Sequence, residues 1–210
     1  ELSKVASEYG GMYISHLRSE GTNLLEALEE LISISRNANI PSEVYHLKAS
    51  REPNWSKLDD VIKRIEEVRK EGLQITADIY TYNASSTGLT GVIPTWVQEG
   101  GHRAWINRMK DPEVRPRLLA DIREQLDEQP PEGILLVGFK TSKMSRKYLA
   151  KTVAEAAAMR GQTPEEAIVD MVIEDDHRIQ CIYFSMSEDN IRKKIQLPWV
   201  SFCSDAGSYS

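Results

Sequence analysis

Side chains that bind metals or move protons follow four short apolar runs of the sequence. They are His16, Arg18, Glu20, His46, Lys48, Asp78, Tyr80 and Asp205. Imidazole and carboxylate groups are common zinc ligands, and both groups also act as general acids and bases. These residue types therefore predict metal-assisted or acid–base chemistry.

The apolar runs before these residues alternate with helical patterns. Strand-like runs cover residues 12–16, 43–46 and 73–80, and amphipathic helices are predicted between them, the second over 56–70. This order is typical of parallel βα units in an α/β fold. Because the carboxyl ends of parallel strands meet at one edge of the sheet, we expect these side chains to lie together there.

Each of these side chains also has a purely structural interpretation. A histidine at a strand end is often only a hydrogen-bonding group, and Glu20 can simply pair with Arg18 in a helix turn. Lys48 taken alone is a solvated surface charge, and Asp78 or Asp205 can brace a turn. Their coincidence at one predicted edge of one sheet favours a functional site.

The alternation stops in the middle of the chain, which has the pattern of a mainly helical insertion over residues 90–178. A strong helix start lies at Thr163, which is followed by proline and, three residues later, by glutamate. We therefore divide the chain into βα units over 1–89, the insertion, and the last strands of the sheet over 179–210.

Length and composition exclude several classes of protein. The 210 residues carry 26 Lys and Arg against 32 Asp and Glu, with a net charge of −6 and no basic stripe, which disfavours nucleic acid as a partner. No apolar run approaches the roughly 20 residues of a membrane helix. The two cysteines are too few for a disulfide scaffold, and no signal-peptide pattern is present. We expect a cytoplasmic protein that binds neither nucleic acid nor a membrane.

Four segments resemble the D-aminoacylase (N-acyl-D-amino-acid deacylase) branch of the amidohydrolase superfamily. They are YISHLRSEG at 13–21, YHLKAS at 45–50, DIYTYNASST at 78–87 and SDAG at 204–207. The resemblance implies a (β/α)8 TIM-type barrel, of which this chain would supply about the fourth to the eighth strands plus the insertion. It also implies hydrolysis of the amide bond of a small-molecule N-acyl-D-amino acid, with zinc or another divalent metal as cofactor.

The resemblance also implies roles residue by residue. His46 matches the metal-binding histidine after the fifth strand, and Asp205 matches the aspartate after the eighth, which binds metal and acts as general base. Glu20 belongs to the polar group after the fourth strand and is a candidate metal ligand. The side chains that the resemblance places near the substrate are Arg18, Lys48, Tyr80, Ser85 and Ser86.

Two departures from the family pattern bear on activity. Tyr80 stands where typical members carry a metal-binding histidine, and the sequence contains no His-x-His pair, which the family's first strand supplies. We therefore expect this chain to be part of a catalytic domain that binds metal weakly and is inactive alone. Its open strand edges would allow it to form a homo-oligomer. Two alternatives stay open: a cyclic-amide hydrolase of the dihydroorotase or hydantoinase type, and a non-catalytic degenerate homologue.

Overall fold

The computed structural model describes residues 1–206, which form two compact units. The first unit combines residues 1–83 with the chain from Met186 onward, and the second unit is Ala84–Ser185. The second unit thus takes in more chain on both sides than the insertion predicted over 90–178. Gly207, at the end of the fourth family-like segment, lies outside the described residues.

The elements are numbered in chain order. The strands are β1 (Tyr13–Ser15), β2 (Ser42–Val44), β3 (Ile75–Ile79), β4 (Ser85–Gly88), β5 (Ile134–Gly138), β6 (Gln180–Tyr183) and β7 (Val200–Phe202). The helices are α1 (Leu2–Glu8), α2 (Leu24–Ala38), α3 (Lys57–Lys70), α4 (Thr95–Gln98), α5 (His102–Lys110), α6 (Arg115–Glu128), α7 (Ser142–Tyr148), α8 (Val153–Arg160), α9 (Pro164–Asp175) and α10 (Glu188–Lys194). None of the helices within residues 1–206 is both long and apolar enough to cross a membrane.

The first unit is built on a parallel sheet with the strand order β1-β2-β3-β7. Its three pairings are all parallel, and Val44 of β2 lies opposite Ser15 on one side and Ala77 on the other. The predicted α/β class with a parallel sheet is therefore confirmed. The described residues supply four parallel strands to this sheet, where about five were expected.

Helices α2 and α3 bury their apolar faces in the core of the first unit, against the sheet. The buried face of α2 includes Leu24, Leu28 and Ile32, and that of α3 includes Leu58 and Ile65. Residues at this spacing share one side of a helix, and each fully buried Leu or Ile contributes about 1.5–3 kcal/mol relative to exposure. This packing fixes the strands whose carboxyl ends carry the candidate site.

The second unit has an antiparallel sheet in the order β4-β6-β5, with helices α4 to α9 and a core of its own. Residues 180–183 are predicted from the sequence to be among the last strands of the parallel sheet. Instead, these residues form β6, which pairs with Ser85–Gly88 and Ile134–Gly138. The alternating burial of Cys181 and Tyr183 fits a strand of either sheet, because a local pattern does not specify the pairing partner.

Candidate metal centre

Three potential metal ligands converge at the carboxyl edge of the parallel sheet. His16 directly follows β1, His46 lies two residues beyond β2, and Glu20 lies in the loop after β1. Each of these residues offers a nitrogen or oxygen ligand atom, and these three atoms all lie within 4.8 Å of one another. Two imidazoles and one carboxylate form a donor set that zinc uses in hydrolases. The residues therefore fit a divalent metal.

A lysine contacts two of these three side chains. The Lys48 side chain is buried, with 5% of the residue exposed. Its Nζ lies 2.7 Å from Glu20 Oε1 and 2.6 Å from His46 Nδ1. Glu20 Oε1 is also 3.0 Å from His46 Nδ1. The ammonium group thus lies against a carboxylate oxygen and an imidazole nitrogen that could also bind a metal cation.

The charge on Glu20 is stabilised by its neighbours. Burial alone would raise the pKa of this carboxyl group, but hydrogen bonds from His46 and Lys48 and their positive charge outweigh burial and hold the pKa below its usual range. Glu20 is therefore ionised at neutral pH and able to bind a cation.

His46 has an unusual backbone conformation, with a φ angle of 42° in the left-handed region. The backbone N–H of His46 donates a hydrogen bond to the Asp78 carboxylate on β3. The next N–H, of Leu47, donates to the Asp78 carbonyl oxygen at 2.9 Å. Because the chain turns at His46, strand β2 ends at Val44 and not at residue 46 as predicted from the sequence.

Two tyrosines flank His46. The ring centroid of Tyr45 lies 4.6 Å from that of His46, and the ring centroid of Tyr80 lies 6.3 Å away. Burial, with the nearby charges of Glu20 and Asp205, raises the pKa of Tyr80 well above its usual value. The Tyr80 phenol is therefore a neutral O–H donor beside the candidate metal ligands.

Asp205 lies near this group but outside the set of three ligands. It follows β7, is exposed, and has a positive φ of 49°. Partial burial, the charge of Asp205 and a hydrogen bond to it raise the pKa of Tyr45. Of the three predicted metal ligands, the structure thus brings Glu20 and His46 together and places Asp205 beside the tyrosines.

The other predicted substrate contacts have different surroundings. Arg18 is directed to the surface, where its Nε lies 2.9 Å from Glu30 Oε2 on α2 and 80% of its side chain is exposed. Ser85 and Ser86 belong to β4 of the second unit, and Ser86 Oγ donates to the Cys181 carbonyl oxygen at 3.2 Å. The structure therefore does not bring Arg18 into the group of three ligands.

His16 is the one of these three candidate ligands for which the sequence predicts no metal role. Its signal is its place directly after an apolar run, the same signal that marks His46. The resemblance instead implies roles for Glu20 and Arg18, which follow the same strand. Only the pairing of β1 with β2 brings the two histidines together, with ring centroids 5.5 Å apart.

No protein-family model matches the chain. Its curated neighbours are two proteins of Alcaligenes xylosoxydans xylosoxydans. N-acyl-D-glutamate deacylase is 31% identical over 86 residues, which is 41% of this chain and 18% of that protein. D-aminoacylase is 33% identical over 89 residues, 42% of this chain and 18% of that protein.

A structural neighbour is N-acyl-D-glutamate deacylase of Bordetella bronchiseptica, solved with zinc and a phosphonate inhibitor that mimics the tetrahedral intermediate of the reaction. It is 22% identical, with a TM-score of 0.69 over 96% of this chain and 34% of that one. This likeness shows that the α/β fold is shared. The matched region spans about a fifth of the length of the curated relatives.

Proposed function

We propose that this chain carries part of the metal centre of a hydrolase that cleaves the amide bond of N-acyl-D-amino acids. The observation that carries the proposal is the meeting of His16, Glu20 and His46 at the carboxyl edge of the parallel sheet. The similarity to N-acyl-D-glutamate deacylase and D-aminoacylase supports the reaction class and the substrate class.

Three side chains would hold the metal, which is zinc or another divalent ion. His16 and His46 supply imidazole nitrogens, and Glu20 supplies a carboxylate that stays ionised at neutral pH. When bound, the metal polarises the scissile carbonyl group.

Asp205 is the proposed general base. It accepts a proton from the water that attacks the carbonyl carbon, and it delivers this proton to the amine nitrogen as the C–N bond breaks. The products are then a carboxylic acid and a free D-amino acid. The place of Asp205 after β7, beside Tyr45 and Tyr80, supports this role.

Lys48 and Tyr80 are proposed to bind the substrate. The Lys48 ammonium would pair with the carboxylate of the amino acid, and the neutral Tyr80 phenol would donate a hydrogen bond to a substrate oxygen. The Lys48 Nζ lies over the Tyr80 ring, 5.4 Å from its centroid, so the two proposed contacts are neighbours. Arg18, which also belongs to the first unit, is a further candidate contact.

A metal titration of the chain and its histidine variants tests the proposal. We expect zinc to bind with a stoichiometry of about one, and binding to be lost in His16→Ala and in His46→Ala because each change removes a ligand. His177→Ala is the matched control, since His177 lies in the second unit. Equal zinc affinity in the wild type and His46→Ala would contradict the proposal.

An activity assay tests whether the site in this chain is sufficient for amide hydrolysis. We expect no hydrolysis of N-acetyl-D-amino acids by the chain alone, because its sequence lacks a His-x-His pair and its described residues offer a single group of three ligands. Turnover of these substrates by the isolated chain would show that the site is more complete than proposed. Turnover of hydantoins instead would favour the cyclic-amide hydrolase.

A further inference from the structure

The turn at His46 and Leu47 is held by hydrogen bonds to its polar backbone groups. A left-handed conformation is unfavourable for a non-glycine residue, so it persists only where the surroundings enforce it. The N–H groups of His46 and Leu47 both donate to Asp78, and Lys48 Nζ donates to the His46 carbonyl oxygen at 3.0 Å. The carbonyl of Leu47 is the fourth polar backbone group of this turn.

Lys194 supplies the partner of that carbonyl. Lys194 is the last residue of α10, and its Nζ donates to the Leu47 carbonyl oxygen at 2.7 Å. All four polar backbone groups of His46 and Leu47 are therefore hydrogen-bonded. Two of these four bonds come from lysine side chains.

Lys194 is an unusual residue for an interior position. Only 3% of its surface is exposed, and lysine is almost never fully buried without a partner. Burial, together with the charge of Lys48, lowers the pKa of Lys194 to about 8. Burying this amine is costly, and the Leu47 carbonyl is the acceptor it contacts.

We propose that Lys194 is a positioning residue that fixes the turn at His46 and thereby directs its imidazole toward His16 and Glu20. For its effect on metal binding, the inference rests on the proposed function. Without the Lys194 bond, the Leu47 carbonyl is left buried and unpaired, and the turn relaxes to an ordinary backbone conformation. The histidine ring then leaves the other two ligands.

The test compares Lys194→Met with Lys193→Met in the 210-residue chain. Lys193 is the adjacent residue of the same helix, but it is exposed and pairs with Asp59, so its variant is a matched control. The first measurement uses no metal and follows the backbone chemical shifts and amide exchange of His46 by NMR. The second is a zinc titration.

We expect Lys194→Met to move the His46 shifts out of the left-handed range, to speed exchange of its amide and to weaken zinc binding about tenfold or more. Lys193→Met should change none of these quantities, and Lys194→Arg should restore part of the loss because it keeps a cationic donor. Lys194→Gln, whose side chain is shorter, should behave like Lys194→Met.

The outcomes separate the two proposals. Unchanged His46 shifts in folded Lys194→Met overturn the positioning role even if the wild type binds zinc through His46. Changed shifts in a protein that never binds zinc overturn the proposed function and leave the positioning role standing. If Lys194→Met and Lys194→Gln both unfold, Lys194 holds the whole unit together and the positioning role fails.

Discussion

Lys48 and Glu20 form an ion pair within the candidate site, and we expect this pair to set how strongly a metal binds. The Lys48 ammonium lies within 2.7 Å of both Glu20 Oε1 and His46 Nδ1. A metal that uses these two atoms must displace the ammonium. The lysine therefore has two opposed effects, since it competes with the metal and also offers a cation for a substrate carboxylate.

The competition predicts that Lys48→Met binds zinc more tightly than the wild type. We expect a gain of about tenfold, or about 1.4 kcal/mol, because the variant leaves the Glu20 carboxylate free. The measurement is a zinc titration, with Lys63→Met on the exposed face of α3 as the control. Weaker binding in Lys48→Met would mean that the lysine supports the site more than it competes with the metal.

The pKa of Glu20 predicts an acid-sensitive contribution to stability. Because its pKa is lower in the folded state than in the unfolded state, this contribution is fully present above about pH 4.5 and is lost as the pH falls through the folded value. We expect the free energy of unfolding in urea to fall less steeply below pH 4.5 in Glu20→Gln than in the wild type. The exposed Glu26→Gln should keep the wild-type slope, and equal slopes in all three proteins would contradict this account.

At the scale of elements, the features that depend on neighbouring residues are predicted well from the sequence. The helix start predicted at Thr163 is confirmed, because its side chain accepts the N–H of Glu166 while the Glu166 carboxylate accepts the N–H of Thr163. The buried faces of α2 and α3 follow from their apolar spacing. Each of these features depends on residues fewer than five positions apart.

Several features that depend on distant residues could not be predicted from local patterns. Lys194 has the sequence context of an exposed basic residue in the last turn of a helix, and its acceptor lies 147 residues away in sequence. The turn at His46 depends on Asp78, 32 residues away. The place of β6 in the second sheet is likewise set by pairing, not by its own pattern.

The helix cap at Thr163 gives an element-scale prediction. Thr163→Ala removes the oxygen that accepts the Glu166 N–H, and we expect it to lower the free energy of unfolding by about 1 kcal/mol. Thr152→Ala should have a similar effect, because Thr152 and Glu155 form the same reciprocal cap on α8. Thr22→Ala is the control, since α2 begins without a side-chain cap. An equal loss in all three variants would exclude the caps as the cause.

At the scale of the whole molecule, the parallel sheet has two edges within the described residues. Strands β1 and β7 each pair on one side only. The apolar side chains of Ile14 on β1 and Phe202 on β7 are 51% and 66% exposed. Open edges with apolar side chains favour pairing with another chain.

These edges predict that the isolated chain self-associates. We expect Ile14→Lys and Phe202→Lys to shift sedimentation toward the monomer, because a charge on an edge strand opposes pairing. Met159→Lys is the matched control, since Met159 is 47% exposed but belongs to helix α8 and not to an edge strand of the parallel sheet. A monomeric wild type would contradict the prediction.

The central claim is that His16 and His46 bind one divalent metal together, and histidine NMR during a zinc titration tests it most directly. The sequence has four histidines, so His102 and His177 serve as internal controls. The account predicts that the side-chain nitrogen signals of His16 and His46 change together and reach their end point at about one equivalent of zinc, while the other two stay unchanged. Movement of all four signals to a similar extent, or no movement of His16 and His46, would contradict it.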